Sequence, residues 1–484
     1  MDDLHFQTAT QLAALIRDRK ISSADLLDCF LSRVERYNPE LNAIIWMDVD
    51  GARRRARDAD AALAKGENWG PLHGLPMTIK ESYQLAGSPT TWGDPDLREN
   101  VTDTTALSVQ RLQGAGANIF GKTNVPLNLA DWQSYNAIHG TANNPWDLSR
   151  TPGGSSGGSA AALASGLTGL DAGSDIGASI RNPAHYCGIF GLKPTYGIIP
   201  PRGQARPGVV APADISVIGP MARGASDLRL GLDVMAGPDL LQEAGWRLDL
   251  PQATQESLKD FRVAVKLSDP NSEVDAAYAD ALQNLADKLA KAGATVNDNA
   301  HPDIDTRRLH DVYVTLLRAA TSTRLSDADF AQWLSVADTL GADDGSYYAM
   351  MARANTMRHR EWLVLNNERH AMRFAFSEFF KDWDILLCPA AASAAWPHDQ
   401  VGERQDRTIP VNGKPVPTTD QLFWAGFSGV VYLPSTVGPA QILSSGLPVG
   451  YQAIADYCAD HTAIRFSECV EREIGGFVQP PDFP

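Results

Sequence analysis

Apolar positions change their period along this chain. Over the first 65 residues they recur at helical spacing. In SSADLLDCFLSRVERYNPE, Leu26, Leu27, Phe30, Leu31 and Val34 form one stripe, with Ser23 placed to cap the helix and Asn38-Pro39 to stop it. GARRRARDADAALAKG predicts a second helix ending at Gly66, and its arginines alternate with Asp58 and Asp60 as on a solvated face. From GLPMTIKES onward, short apolar runs alternate with helical segments. TTALSVQRLQGAGANIFGKTN predicts helix, glycine turn and strand. FRVAVKL (261–267) and DWDILLCPAA predict strands, and VDAAYADALQNLADKLAKAGATV a helix followed by a strand. This alternation predicts an α/β fold with a mixed central β-sheet flanked on both faces by α-helices. Residues 303–381 read almost wholly as helix, either a cover over a pocket or a helical layer. PPRGQARPGVVAPAD (200–214) reads as a long loop, and no repeat of fixed period interrupts the chain.

Composition narrows the function classes. The 484 residues are 44% hydrophobic and 21% charged, as in ordinary globular proteins, with a formal net charge of −16. No Lys/Arg-rich block offers a nucleic-acid face or a polybasic membrane anchor. The five cysteines, Cys29, Cys187, Cys388, Cys458 and Cys469, are scattered and form no CxxC, so neither a disulfide framework nor a zinc cluster is expected. No HExxH or His/Cys/Asp ligand cluster calls for a metal, and no cofactor is implied. The first 20 residues lack the apolar core of a secretory signal, and no run of 18 apolar residues predicts a membrane span. The default expectation is a reducing, cytoplasmic location.

The stretch GGSSGGSAAALASG (153–166) invites four readings. A flexible linker is the plainest, but Ala is the strongest helix former, so this loop runs straight into a helix N-terminus. A phosphate loop needs Lys and then Ser/Thr after its last glycine, and Gly158 is followed by Ser159 and Ala160. Gly154-Ser155-Ser156-Gly157-Gly158 also matches the G-x-S-x-G nucleophile elbow, with Ser156 as nucleophile. The preceding NNPWDLSRTP, however, is a poor strand, and no later histidine has a distinctive context. The fourth reading brings in DAGSDIGASIRNPAHYCGIFGLKPT, where small residues around Ser179 let backbone N–H groups crowd a developing oxyanion. Lys80, at the end of the apolar strand in GLPMTIKES, could lose its proton on desolvation and serve as a base. Together these suggest a Ser/Ser/Lys relay.

With these segments, with GKTNVPLNLADW and NPWD, and with the closing GLPVGYQAIADYCADHTAIRFSECVE, the chain resembles the amidase signature family from about residue 10 to residue 475. The resemblance implies one amidase domain over residues 1–484. Its parts would be a helical region (1–66), the signature core (67–300), a helical layer or pocket cover (301–381) and a C-terminal part of the core (382–484). It implies that Ser179 is the acylated nucleophile, that Ser155 sits on a cis peptide and relays the proton, and that Lys80 is the final, neutral acceptor. The N–H groups of Ile176, Gly177, Ala178 and Ser179 would form the oxyanion hole. Ser156 and Ser174 would support the loop, and Asp175 with Arg181 would brace it. Two positions depart from the family's usual pattern. Ala178 stands where Gly is usual: its methyl is expected to narrow the acyl site, though a need for positive φ would cost Ala about 1–2 kcal/mol. Glu81 follows Lys80 where Asp is commoner, altering a supporting hydrogen bond.

The activity implied is hydrolysis of small amides through an acyl-enzyme, with aryl or acyl amides, carbamates (urethanes) and esters as candidate substrates. Trp92, Trp132, Tyr135, Tyr347 and Tyr348 hint at an apolar or aryl group. The partners expected are that small molecule and at most a second copy of the chain as a homodimer. The alternatives are the catalytic subunit of a tRNA-dependent amidotransferase and a glycine-rich nucleotide-binding ligase, although the ligase would have no use for Lys80.

Overall fold

The computed structural model describes residues 4–341 and 343–484. Its main sheet has eight strands, in the order Thr295–Asn297, Arg262–Val265, Ile385–Pro389, Pro448–Ile454, Ser435–Ile442, Phe190–Lys193, Val217–Ala222 and Asp171–Asp175. The first three run parallel and the remaining pairings are antiparallel, so the sheet is mixed. Side chains alternate across it. Val263, Val265, Ile385 and Leu387 pack with helices Ala276–Lys291 and Asp460–Glu473. Ala264, Leu386 and Cys388 face a second cluster built on helices Thr306–Thr321 and Leu422–Gly429. Helices thus cover both faces of an α/β sheet.

A smaller sheet orders Ile44–Met47, Asn118–Thr123 and Pro76–Lys80. The Thr78 N–H donates to the Leu170 carbonyl at 3.2 Å and to Thr168 Oγ1 at 3.0 Å. These bonds lay the Lys80 strand beside Asp171–Asp175, the edge strand of the large sheet.

Two local expectations shift. The cap of helix Ser23–Leu41 is Ser22, whose Oγ accepts from the Asp25 N–H at 2.9 Å, while Ser23 Oγ donates to the Gly74 carbonyl. The helix also runs through Asn38-Pro39 to Leu41, because a proline in the last turn removes a single helical hydrogen bond. Asn38 still marks the exit: its Oδ1 accepts from the N–H groups of Ala43 and Ile44, and Asn42 turns left-handed at φ 48°. Gly66 takes φ +84° just past helix Val49–Ala64, as its place at the C-terminus predicts. Residues 303–381 form helices Thr306–Thr321, Asp327–Thr339, Tyr347–Asn355 and His359–Phe379, and 200–214 is loop. Among the described residues no helix is long and apolar enough to cross a membrane.

Candidate active site

Period-two alternation explains how a lysine comes to be interred. Along Pro76–Lys80, Met77 and Ile79 enter an apolar cluster, so Thr78 and Lys80 face the other way, toward the serine loops. Lys80 Nζ lies 2.7 Å from Ser155 Oγ, 2.9 Å from Ser156 Oγ and 3.0 Å from Ser174 Oγ. Burial pushes its pKa well below 10.5. The negative charges of Asp175 and Asp171 pull it partly back, and Arg324 pushes it down further. A neutral amine has two N–H groups and one lone pair. Ser156 sends its own hydrogen to the Ser174 carbonyl at 3.4 Å and accepts from Lys80. Lys80 is the one hydrogen-bond partner of the Ser155 hydroxyl among the described residues, so the Ser155 hydrogen can point at the lone pair.

The glycines between Gly153 and Gly158 are required by close approach. A Cβ on Gly158 would stand 2.3 Å from the Asn124 nitrogen, and one on Gly154 2.5 Å from the Asp131 carbonyl oxygen. The Gly154–Ser155 peptide is cis, as the resemblance implies. Ser134 Oγ staples the loop, accepting from the Gly157 N–H and donating to the Gly153 carbonyl, both at 3.0 Å. Helix Gly157–Ala164 follows, wholly buried, which its short side chains permit. No strand precedes the loop between residues 142 and 156, so the nucleophile elbow lacks its feeding strand.

Asp175 organises the second loop. Its carboxylate takes two bonds from the Arg181 guanidinium, at 3.0 and 2.9 Å, with both side chains excluded from solvent. It also accepts from the N–H groups of Ala178 at 2.9 Å and Ile180 at 3.1 Å. The expectation of four oxyanion donors is therefore corrected. The single hydrogen on the Ala178 nitrogen is committed to Asp175, whereas the N–H groups of Ile176, Gly177 and Ser179 meet no acceptor among the described residues. Ala178 sits at φ +70°, and its methyl is buried in the same apolar cluster as Tyr313 and Leu317. The Ser156 N–H donates to the Ser179 carbonyl at 3.1 Å and locks the two loops together. The Ser179 hydroxyl itself has no hydrogen-bond partner among the described residues. Exposure falls from 5% at Ser179 to 1% at Ser155 and 0% at Lys80, a gradient from the accessible hydroxyl to the hidden amine.

Further residues hold the two loops in place. Asp171, four residues before Asp175 on the same strand, accepts from Thr78 Oγ1 at 2.5 Å; its other oxygen has no partner among the described residues, and burial pushes its pKa up to about 7. A polar residue two before Lys80 on a buried strand was the available signal. Tyr313 donates to the Ile176 carbonyl at 2.9 Å from 137 residues away, with no local signal. Trp132 Nε1 donates to the Gly177 carbonyl at 2.7 Å. Glu81 holds the turn at Thr91 and Trp92 by accepting from both backbone N–H groups. Among the described residues no three His, Cys, Asp or Glu side chains are grouped to hold a metal ion.

Two loops of small residues thus close around a buried lysine at the edge of an α/β sheet. The family model described as Amidase matches residues 25–464, so the chain belongs to the amidase family. The chain is 31% identical to an indoleacetamide hydrolase of Bradyrhizobium diazoefficiens, over 97% of this chain and 86% of that protein. It is also 31% identical to a glutamyl-tRNA(Gln) amidotransferase subunit of Anaeromyxobacter sp. (strain K), over 98% and 97%. The crystal structure of a bacterial aryl acylamidase of the amidase signature family superposes with a TM-score of 0.82 at 23% identity, covering 98% of this chain and 97% of that one, and shows the shared fold.

Proposed function

We propose that this chain hydrolyses small amides in two steps through an ester on Ser179. The observation that carries the reading is Lys80: an amine that, among the described residues, has no solvent, no ion-pair partner and no acceptor other than three serine hydroxyls. Ser179 Oγ attacks the substrate carbonyl carbon as its proton passes to Ser155 and the Ser155 proton to Lys80. The free N–H groups of Ile176, Gly177 and Ser179 receive the oxyanion. Collapse breaks the C–N bond, and the proton returns from Lys80 through Ser155 to the departing amine. Water then attacks the acyl-enzyme, giving its proton to the same pair. The carboxylic acid leaves and Ser179 regains its hydrogen. Ser156 and Ser174 take the two N–H groups of the neutral amine and so aim its lone pair at Ser155. Aryl and acyl amides, carbamates and activated esters all present the carbonyl this sequence needs.

The full-length match to amidotransferase subunits makes the other family activity a competing reading. A panel of p-nitroanilides of varied acyl group separates the two. Release of nitroaniline by the purified chain, without ATP or a second protein, is expected. A chain inert on the whole panel that released ammonia from glutamine only with partner proteins would favour the amidotransferase reading.

A further inference from the structure

The region beside the two serine loops carries positive charge that the reaction above does not use. Five guanidiniums gather there, from Arg206, Arg318, Arg324, Arg404 and Arg407, in a chain of net charge −16. Two carboxylates answer them: Asp94 pairs with Arg206 and Asp131 with Arg407, each at 2.8 Å. Arg318, Arg324 and Arg404 make no ion pair among the described residues. Arg324 donates to the Asn128 carbonyl at 2.9 Å and Arg404 to the Ala130 carbonyl at 2.6 Å, two residues along one segment. Arg318, only 8% exposed, binds the Tyr347 hydroxyl, and its charge acts on both of the others. Each guanidinium has five N–H donors, and these contacts leave most of them unused.

The place is set by contacts to the serine loops. The Ala130 carbonyl that holds Arg404 is one residue from Asp131, whose carbonyl abuts Gly154. Arg324 lies over the Trp92 ring, 5.4 Å from its centre, and the Trp92 N–H is held by Glu81, next to Lys80. Arg318 follows Leu317, whose side chain would meet a Cβ on Gly177 at 3.4 Å. Burial and its neighbours lower the Arg324 pKa only to about 10, so it stays charged at neutral pH.

We propose that Arg318, Arg324 and Arg404 form a carboxylate-binding subsite, and that the amide cleaved at Ser179 carries an anionic group. Planar guanidiniums match a carboxylate's two oxygens, and an apolar substrate alone would leave one buried and two half-buried charges unanswered. The inference rests on the hydrolase reading, and the test separates the two. Two matched pairs place the charge on either side of the scissile bond: succinyl against butyryl p-nitroanilide, and N-acetyl-4-aminobenzoate against N-acetyl-4-aminobenzamide. In at least one pair the anionic member should have a kcat/KM about tenfold higher or more, mainly through KM, with the advantage shrinking in 0.5 M NaCl. Arg324→Gln and Arg404→Gln should each cut that ratio several-fold. Because both members are measured on one preparation, any misfolded fraction cancels from the ratio. Neutral members turned over as well as anionic ones in both pairs, or a ratio that survives both substitutions, would overturn the subsite and leave the hydrolase standing. No turnover of any member, with no adduct on Ser179 from a fluorophosphonate, would overturn both.

Discussion

Lys80 and Lys122 sit on neighbouring strands of the small sheet. Ile79 pairs with Lys122, and Lys80 with Thr123, so the two lysines face opposite ways. Both are fully buried, and burial lowers both pKa values, that of Lys122 to about 8. Their partners differ in kind. Lys122 Nζ reaches the Pro89 carbonyl at 2.5 Å, Thr90 Oγ1 at 2.9 Å and Ser88 Oγ at 3.3 Å. A carbonyl oxygen only accepts, so its nearest contact demands an N–H and suits an ammonium. Lys80 has hydroxyls on every side, and a hydroxyl can accept from an amine or donate to its lone pair. A buried lysine is therefore not in itself a base. Its partners decide whether it can take up and return a proton without stranding a neighbour.

The comparison breaks most visibly in activity. Lys80→Met should lower kcat/KM for an anilide by roughly 10²–10⁴, and less for a matched p-nitrophenyl ester, whose leaving group departs without a proton. Lys122→Met should leave that rate within a few-fold. Equal losses in the two variants would erase the distinction.

Lys122→Met should act on stability instead. It strands the Pro89 carbonyl and two hydroxyls, a loss of about 1–3 kcal/mol at neutral pH, read as a fall in Tm. The pH dependence has a definite sign. A lysine with a folded pKa near 8 and an unfolded one near 10.5 binds fewer protons folded than unfolded between those values, so its contribution makes stability rise with pH across that window. The variant should lose that part of the rise.

A smaller effect should come from Asp171→Asn. The negative charge of Asp171 favours the protonated form of Lys80, so removing it should move the acid limb of the kcat/KM profile to lower pH, by roughly a unit or less. A move to higher pH would contradict the sign.

The smallest change concerns Ala178→Gly. The left-handed Ala178 costs about 1–2 kcal/mol, which glycine relieves. Against this stand glycine's extra chain entropy, about 0.5–1 kcal/mol, and one lost buried methyl, about 0.8 kcal/mol. Tm should hardly move. Since the methyl lies in the core cluster, the preference between acetyl and benzoyl anilides should hold as well.

Much of this arrangement was legible in the chain, for local reasons. The run GGSSGG followed by alanines announced a loop running straight into a helix N-terminus, and a lysine closing an apolar strand announced desolvation. What escaped was set at a distance or by hydrogen-bond geometry. The positive φ of Ala178 and the capture of its N–H by Asp175 depend on how the loop folds back on its own carboxylate. Tyr313 and Arg318 arrive on a helix far along the sequence, positioned by packing rather than by any pattern beside Ser179. The exit at Asn38-Pro39 was recognisable, but placed three residues early because its last helical turn tolerates the proline.

The central claim is that Ser179 is activated through Ser155 by an uncharged Lys80. The most direct measurement is the rate at which a fluorophosphonate adds to the protein across a pH series, with the site located by peptide mass. The account predicts one adduct, on Ser179, forming faster as pH rises through a single ionisation below 10.5 and then levelling off, with both the rate and the pH dependence lost in Lys80→Met. An adduct on Ser155 or Ser156, or an unchanged profile in Lys80→Met, would contradict it.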